Sequence, residues 1–114
     1  MKPLPPPPVA LGLLTVLLIS CSNPIPPDKA TYVGQWQAPT MSLLITQDGS
    51  VRYKRVQGNQ TTKINAPLKQ FAGRDFIVGV GPFKTTFVVS RPPTQDGSSW
   101  KMVVDGVELT RTAE

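Results

Sequence analysis

Histidine is absent from the sequence, and cysteine occurs once, at position 21. Without imidazole and with a single thiol, the usual zinc ligand sets cannot be assembled, and no hydroxyl or thiol nucleophile can be activated by a neighbouring histidine. The lone thiol has no partner within the chain, so no internal disulfide braces the fold and stability has to come from apolar burial. Charged residues are scarce, at 17%. No apolar run reaches the roughly 20 residues that a membrane-spanning helix needs. Nothing in the pattern calls for a metal or a cofactor.

Proline, by contrast, is abundant and unevenly placed. Eight of the 13 prolines precede residue 30: Pro3, Pro5, Pro6, Pro7 and Pro8, then Pro24, Pro26 and Pro27. Between the two clusters run eleven apolar or small residues, Val9 to Ile19, after one basic residue, Lys2. That length suits the core of a secretion signal. Leu18-Ile19-Ser20-Cys21 then resembles the lipobox of bacterial lipoprotein precursors: a branched apolar residue, a tolerant position, a small residue and cysteine. The resemblance implies cleavage between Ser20 and Cys21, with the thiol carrying a diacylglyceryl group as a thioether. The mature protein would begin at Cys21 and be held in the membrane by its acyl chains, which anchor stably when there are two or three, at about 0.8 kcal/mol per buried methylene. Ser22 stands where an aspartate tends to retain such proteins at the inner membrane, so the resemblance implies the outer membrane, on the periplasmic side. An ordinary buried cysteine and an uncleaved anchor are the competing readings.

The chain divides accordingly into a signal peptide over residues 1–20, a lipidated cysteine with a proline-rich tether over 21–31, and a small domain over 32–112. The tether "SNPIPPDKAT" disfavours a helix and reads as an extended spacer, reaching up to roughly 30 Å at about 3.1 Å per residue. From Tyr32 onward the signals are those of strands: "YVGQWQA", "MSLLIT", "SVRYKRV", "QTTKIN", "DFIVGV", "KTTFVVS", "SWKMVV" and "VELTRT". Turn chemistry separates them, at Ala38-Pro39, Asp48-Gly49, Gly58-Asn59, Asn65-Ala66-Pro67, Gly81-Pro82, Asp96-Gly97 and Asp105-Gly106. The reading is an all-β domain, a small antiparallel and mostly up-and-down barrel of about eight short strands.

Alternation assigns the faces. Trp100, Met102 and Val104 share one side, Phe87 and Val89 another, and Val51 and Tyr53 stand opposite Arg52 and Lys54. These sets read as core. The pentapeptide "TQDGS" occurs twice, 48 positions apart, at residues 46–50 and 94–98. With no further match in the flanks, a shared Asp-Gly hairpin turn explains it better than duplication. Asp48, Asp96 and Asp105 each precede glycine and read as turn formers, which removes them from any catalytic set. Asn59-Gln60-Thr61 fits a glycosylation sequon but reads as a hairpin.

Gly34-Gln35-Trp36, on the first strand, resembles the Gly-x-Trp signature of lipocalins and related barrels. The resemblance implies that Trp36 closes the bottom of a barrel with Arg111, from the last strand, packed across its ring in a cation–π contact. Other small all-β folds also place a glycine before a buried tryptophan, and the helix, disulfide and long loops of lipocalins are absent. An eight-strand barrel is filled by side chains or holds one small ligand, and strands this short favour the filled interior.

Once Lys2 leaves with the signal, eleven basic and seven acidic residues remain, a net of +4. The excess suits an anionic surface such as lipid headgroups or acidic envelope polymers. Nucleic acid is the wrong partner for an exported lipoprotein, and neither a basic helix nor an aromatic ladder supports it. If the strands run strictly up and down, Lys69, Arg74 and Arg91 share the tether's end and could face the membrane. The expectation is a non-enzymatic, membrane-anchored binding or accessory module of the envelope. The alternative is a protein-interaction subunit or inhibitor that docks on another envelope protein.

Overall fold

The structure is a computed structural model in which residues 23–113 are described; residues 1–20, read above as a signal peptide, and Cys21 lie outside them. Nine strands form one antiparallel sheet, strongly curled into a half-barrel: β1 (Gly34–Gln37), β2 (Met41–Ile45), β3 (Ser50–Gln57), β4 (Gln60–Ala72), β5 (Asp75–Val80), β6 (Phe83–Phe87), β7 (Val89–Asp96), β8 (Ser99–Val104) and β9 (Val107–Ala113). Their order in space is β6-β5-β4-β3-β2-β1-β9-β8-β7, so the sheet is two meanders joined where β9 returns to β1. Among the described residues no helix is long and apolar enough to cross a membrane.

The period-two apolar pattern makes the sheet curl around one core. Met41, Leu43 and Ile45 of β2, Val51 and Tyr53 of β3, Phe76 and Val78 of β5, and Met102 and Val104 of β8 are all buried, while Arg52 and Lys54 are exposed. Phe87 anchors the centre, stacked on Phe76 at 5.1 Å between ring centroids and edge-on to Tyr53 at 4.8 Å. Full burial of each such side chain contributes about 1.5–3 kcal/mol.

Nine strands form where about eight were expected, and two local differences stand out, of which only the second adds a strand. The turn expected at Asn65-Ala66-Pro67 does not form: Ile64, Ala66 and Leu68 keep one inward alternation, and β4 runs through it. Pro67 is tolerated because the ladder to β3 ends there, at the Ser50/Pro67 pair, and the next residues pair with β5 instead. The freed amide of Leu68 donates to Gly49 O at 2.7 Å. Conversely, "KTTFVVS" is two strands. Phe87 pairs with Phe76 of β5, but Val89 pairs with Val104 of β8, so the two free edges of the sheet are joined by Val88 alone. Residues 91–96, which lie between the expected strands "KTTFVVS" and "SWKMVV", continue β7; Pro92 and Pro93 fit because β7 is an edge strand whose register shifts on either side of Arg91.

The N-terminal segment is the second departure. Instead of an extended spacer, Pro27–Tyr32 forms a 3₁₀ turn, and Ile25 and Tyr32 are buried in the core, so the packed domain starts at Ile25. Ile25 N donates to Gln47 O at 3.0 Å, Tyr32 Oη to Arg74 O at 2.8 Å, and Lys29 Nζ to Gly73 O at 3.0 Å. The segment closes one end of the half-barrel, across the 46–49 and 73–74 turns.

Candidate functional site

Three surfaces gather the chemistry-bearing side chains. The first is the closed end. Trp36 is fully buried and its Nε1 donates to Tyr32 O at 2.9 Å. Arg111 pairs with Trp36 across β1 and β9, and a register shift in that ladder lies beside them. Its guanidinium carbon stands 5.5 Å from the centre of the Trp36 ring and 4.9 Å from that of Trp100. One Arg111 nitrogen donates to Thr31 O at 3.3 Å and to Val33 O at 3.4 Å. Gly34 has a φ of 141°, a conformation that side-chain-bearing residues rarely adopt. Gly34, Trp36 and Arg111, brought together by the sequence motif, thus lie side by side, with Trp100 as a further partner of the guanidinium. This is a structural clasp, because its polar atoms are turned to the backbone of the N-terminal segment.

Tyr32 belongs to the same end. Burial pushes its phenol above the ordinary value of 10.0, with Arg74 opposing and Asp75 adding to the rise. At the neighbouring 46–49 turn, Thr46 Oγ1 donates to the Asp48 carboxylate, and that hydrogen bond is the main reason Asp48 lies below the ordinary carboxyl value. Asp75 Oδ1 accepts from Val89 N at 2.8 Å, and Asp105 Oδ1 accepts from Val88 N at 2.9 Å. Glu108 stands 3.8 Å from Arg91 in an exposed pair. Asp75, Asp105 and Glu108 therefore serve the framework.

The second surface is the outward face of β2, β3 and β4. Lys54 stands directly opposite Lys63, and Arg52 opposite Asn65. Together with Gln35 and Ser42 they line an open groove of about 280 Å³ that holds no acidic side chain. Like charges in direct cross-strand register are unfavourable, so this face carries an uncompensated positive field.

The third is the tip of the β5–β6 hairpin. Val80 pairs directly with Phe83 across the two-residue loop Gly81-Pro82, and they are 61% and 78% exposed. Lys84 and Lys69 flank an open groove of about 620 Å³ that Val80, Gly81 and Asn23 also line. The three cations expected to share one end are distributed as follows. Lys69 lies at a register shift of β4, in this groove. Arg74 is exposed in the β4–β5 turn and donates to Ser90 O at 3.4 Å, beside Arg91. Arg91 stands 3.8 Å from Glu108, on the edge strand β7.

Sequence reasoning missed Val80, Phe83 and Lys84. A signal existed: a two-residue Gly-Pro turn forces the residues on either side of it into register, so two large apolar side chains had to meet at a loop tip.

No family model matches the chain, and neither a curated protein nor a solved structure matches it.

Proposed function

We propose that the chain is the precursor of a non-enzymatic lipoprotein, anchored through Cys21 in the outer membrane on its periplasmic side, whose β domain works as a surface-binding accessory module of the cell envelope. The observation that carries this reading is Cys21 itself, which ends an eleven-residue apolar stretch in a lipobox-like setting and stands four residues before the first buried residue of a folded domain, Ile25. The domain supports binding at the surface over binding inside. Trp36, Phe76, Phe87, Leu43 and Met102 fill the interior as fully buried side chains, and the grooves described above open to solvent. The resemblance to lipocalins through Gly34-Gln35-Trp36 and Arg111 belongs to the same proposal and extends to the closing end, not to a ligand cavity.

Intact mass measurement of the protein from the membrane fraction tests the anchor. The expected species begins at Cys21 and carries acyl groups, and Cys21→Ser leaves the precursor uncleaved and unacylated. A soluble species with the mass of the 114-residue translation product would sink the reading.

The second reading, a subunit or inhibitor that docks on another envelope protein, draws on the basic face of Arg52, Lys54 and Lys63, which suits an acidic protein surface as well as an anionic polymer. A photo-crosslinker at Asn65 in living cells separates them. A discrete adduct lost on Lys54→Glu/Lys63→Glu favours the protein partner; heterogeneous adducts favour the polymer.

A further inference from the structure

We propose that the β5–β6 hairpin is a membrane-docking tip: Val80 and Phe83 enter the interfacial layer of the leaflet that holds the acyl chains, while Lys84 and Lys69 meet anionic phospholipid headgroups. The proposal rests on the lipid-anchor reading and adds a second, independent point of contact.

The tip is exceptional by its chemistry. Val80 and Phe83 lie on the inward register of their strands, in line with Phe76, Val78 and Phe87, but the core ends before it reaches them. They are the most exposed large apolar side chains of the described domain. Lys84 projects from the opposite face of the same hairpin. An aromatic and a branched aliphatic side chain on one face of a hairpin tip, with lysine on the other, is a composition that partitions into a bilayer interface. The hairpin is also built to hold its shape. Gly81 takes a φ of 58° in the loop, and a Cβ at Gly79 would stand 2.0 Å from Phe83 O, so the two strands close as they do only with glycine there. A tip already in its bound shape loses little freedom on docking.

Position supplies the occupant. Asn23, where the described chain begins, lines the same groove as Val80, Gly81 and Lys84. Cys21 is two residues upstream, and two extended residues span at most about 7 Å. Acyl chains on Cys21 would therefore start within about 7 Å of Asn23, which lines the groove at this tip. The lining of the groove contains Lys69 and Lys84 and no acidic residue, which matches the negative surface of a membrane rich in anionic lipid.

The test uses the mature acylated protein in vesicles of phosphatidylethanolamine and phosphatidylglycerol. Acylation blocks the Cys21 thiol, so Pro82→Cys offers the single site for an environment-sensitive fluorophore while leaving Val80 and Phe83 in place. A matched Asn59→Cys protein carries the label in the β3–β4 turn, at the far end of β3. The label at position 82 is expected to shift to the blue and to lose most of its accessibility to an aqueous quencher, with the label at position 59 unchanged. Adding Phe83→Asp should abolish the shift without releasing the protein from the vesicles. Equal quenching at the two positions, in protein whose mass shows acylated Cys21, overturns the tip and leaves the anchor standing. Shielding that grows with protein concentration at fixed lipid assigns the tip to a second copy of the chain and overturns the proposal. A mass showing unmodified Cys21 removes the anchor and the tip together.

Discussion

At the scale of single residues, Tyr32 ties the N-terminal segment to the sheet through its hydroxyl, which donates to Arg74 O at 2.8 Å. Tyr32→Phe should lower the unfolding free energy by about 0.5–1.5 kcal/mol at neutral pH, the net worth of such a bond. The pH dependence has a definite sign. Burial chiefly raises the phenol above 10.0 in the folded chain, so the unfolded chain ionises first. The contribution of Tyr32 is then complete below the unfolded value and is lost as pH climbs through the folded one. The gap between wild type and Tyr32→Phe should narrow in denaturant titrations taken upward through about pH 10; a gap that widens there would contradict this. Arg111 lies between Trp36 and Trp100 and bonds two backbone carbonyls of the segment. Arg111→Ala should cost about 1–3 kcal/mol, and Arg111→Lys should recover less than half, because an ammonium cannot lie flat on two rings and bridge two acceptors. The contact between Trp36 and Arg111 is the one that the resemblance to lipocalins implied; neither spacing nor alternation alone would have paired the two. The exposure of Phe83 was not legible, since it depends on where the core stops, and alternation alone places Phe83 inside.

At the scale of elements, strands were legible wherever alternation and turn residues agreed, as in β2, β3, β5 and β8. They were misread where a local signal was outweighed by pairing. The two copies of "TQDGS" show how neighbours modify a turn. In the first copy residues 46–49 form the loop and Ser50 opens β3, with Thr46 hydrogen-bonded to Asp48 and Ser50 and Gly49 pressed against Asn23. At residues 94–98 the strand continues through Asp96, and Gly97-Ser98 makes a two-residue hairpin. Both copies turn an antiparallel hairpin with glycine at positive φ, as the shared Asp-Gly turn requires, but the loops differ in length because their neighbours differ. The β6–β7 corner was illegible for a related reason: nothing in "FVVS" says that Phe87 and Val89 pair with strands from opposite edges of the sheet. Two carboxylates hold that corner, and they should respond differently to substitution. Asp75→Ala leaves Val89 N–H without its acceptor and should cost about 1–3 kcal/mol. Asp105→Asn keeps an oxygen for Val88 N–H and tolerates the φ of 48°, so it should stay within about 0.5 kcal/mol of wild type. Urea unfolding of both variants checks the contrast, and equal losses would mean that the charge at position 105, not its acceptor oxygen, stabilises the corner.

At the scale of the whole molecule, the N-terminal segment would decide how far the domain stands from the bilayer if Cys21 carries the proposed anchor. A spacer of ten free residues would let the domain range up to roughly 30 Å from the bilayer. With Ile25 buried, only residues 22–24 separate Cys21 from the packed domain, a reach of about 10–14 Å. That short connection holds only if the segment is a true part of the core. Ile25 is 4% exposed, sits in the same cluster as Trp36 and Ile45, and is pinned by hydrogen bonds in both directions with Gln47. Ile25→Ala should therefore cost about 2–5 kcal/mol, as for any core isoleucine, a large share of the stability of a domain this small. Because the segment packs under Trp36 and against the 46–49 and 73–74 turns, its loss should lower one common transition, with tryptophan fluorescence and far-ultraviolet circular dichroism shifting together. A free spacer gives the opposite result: Ile25→Ala without effect on either signal, and the domain released to its longer reach.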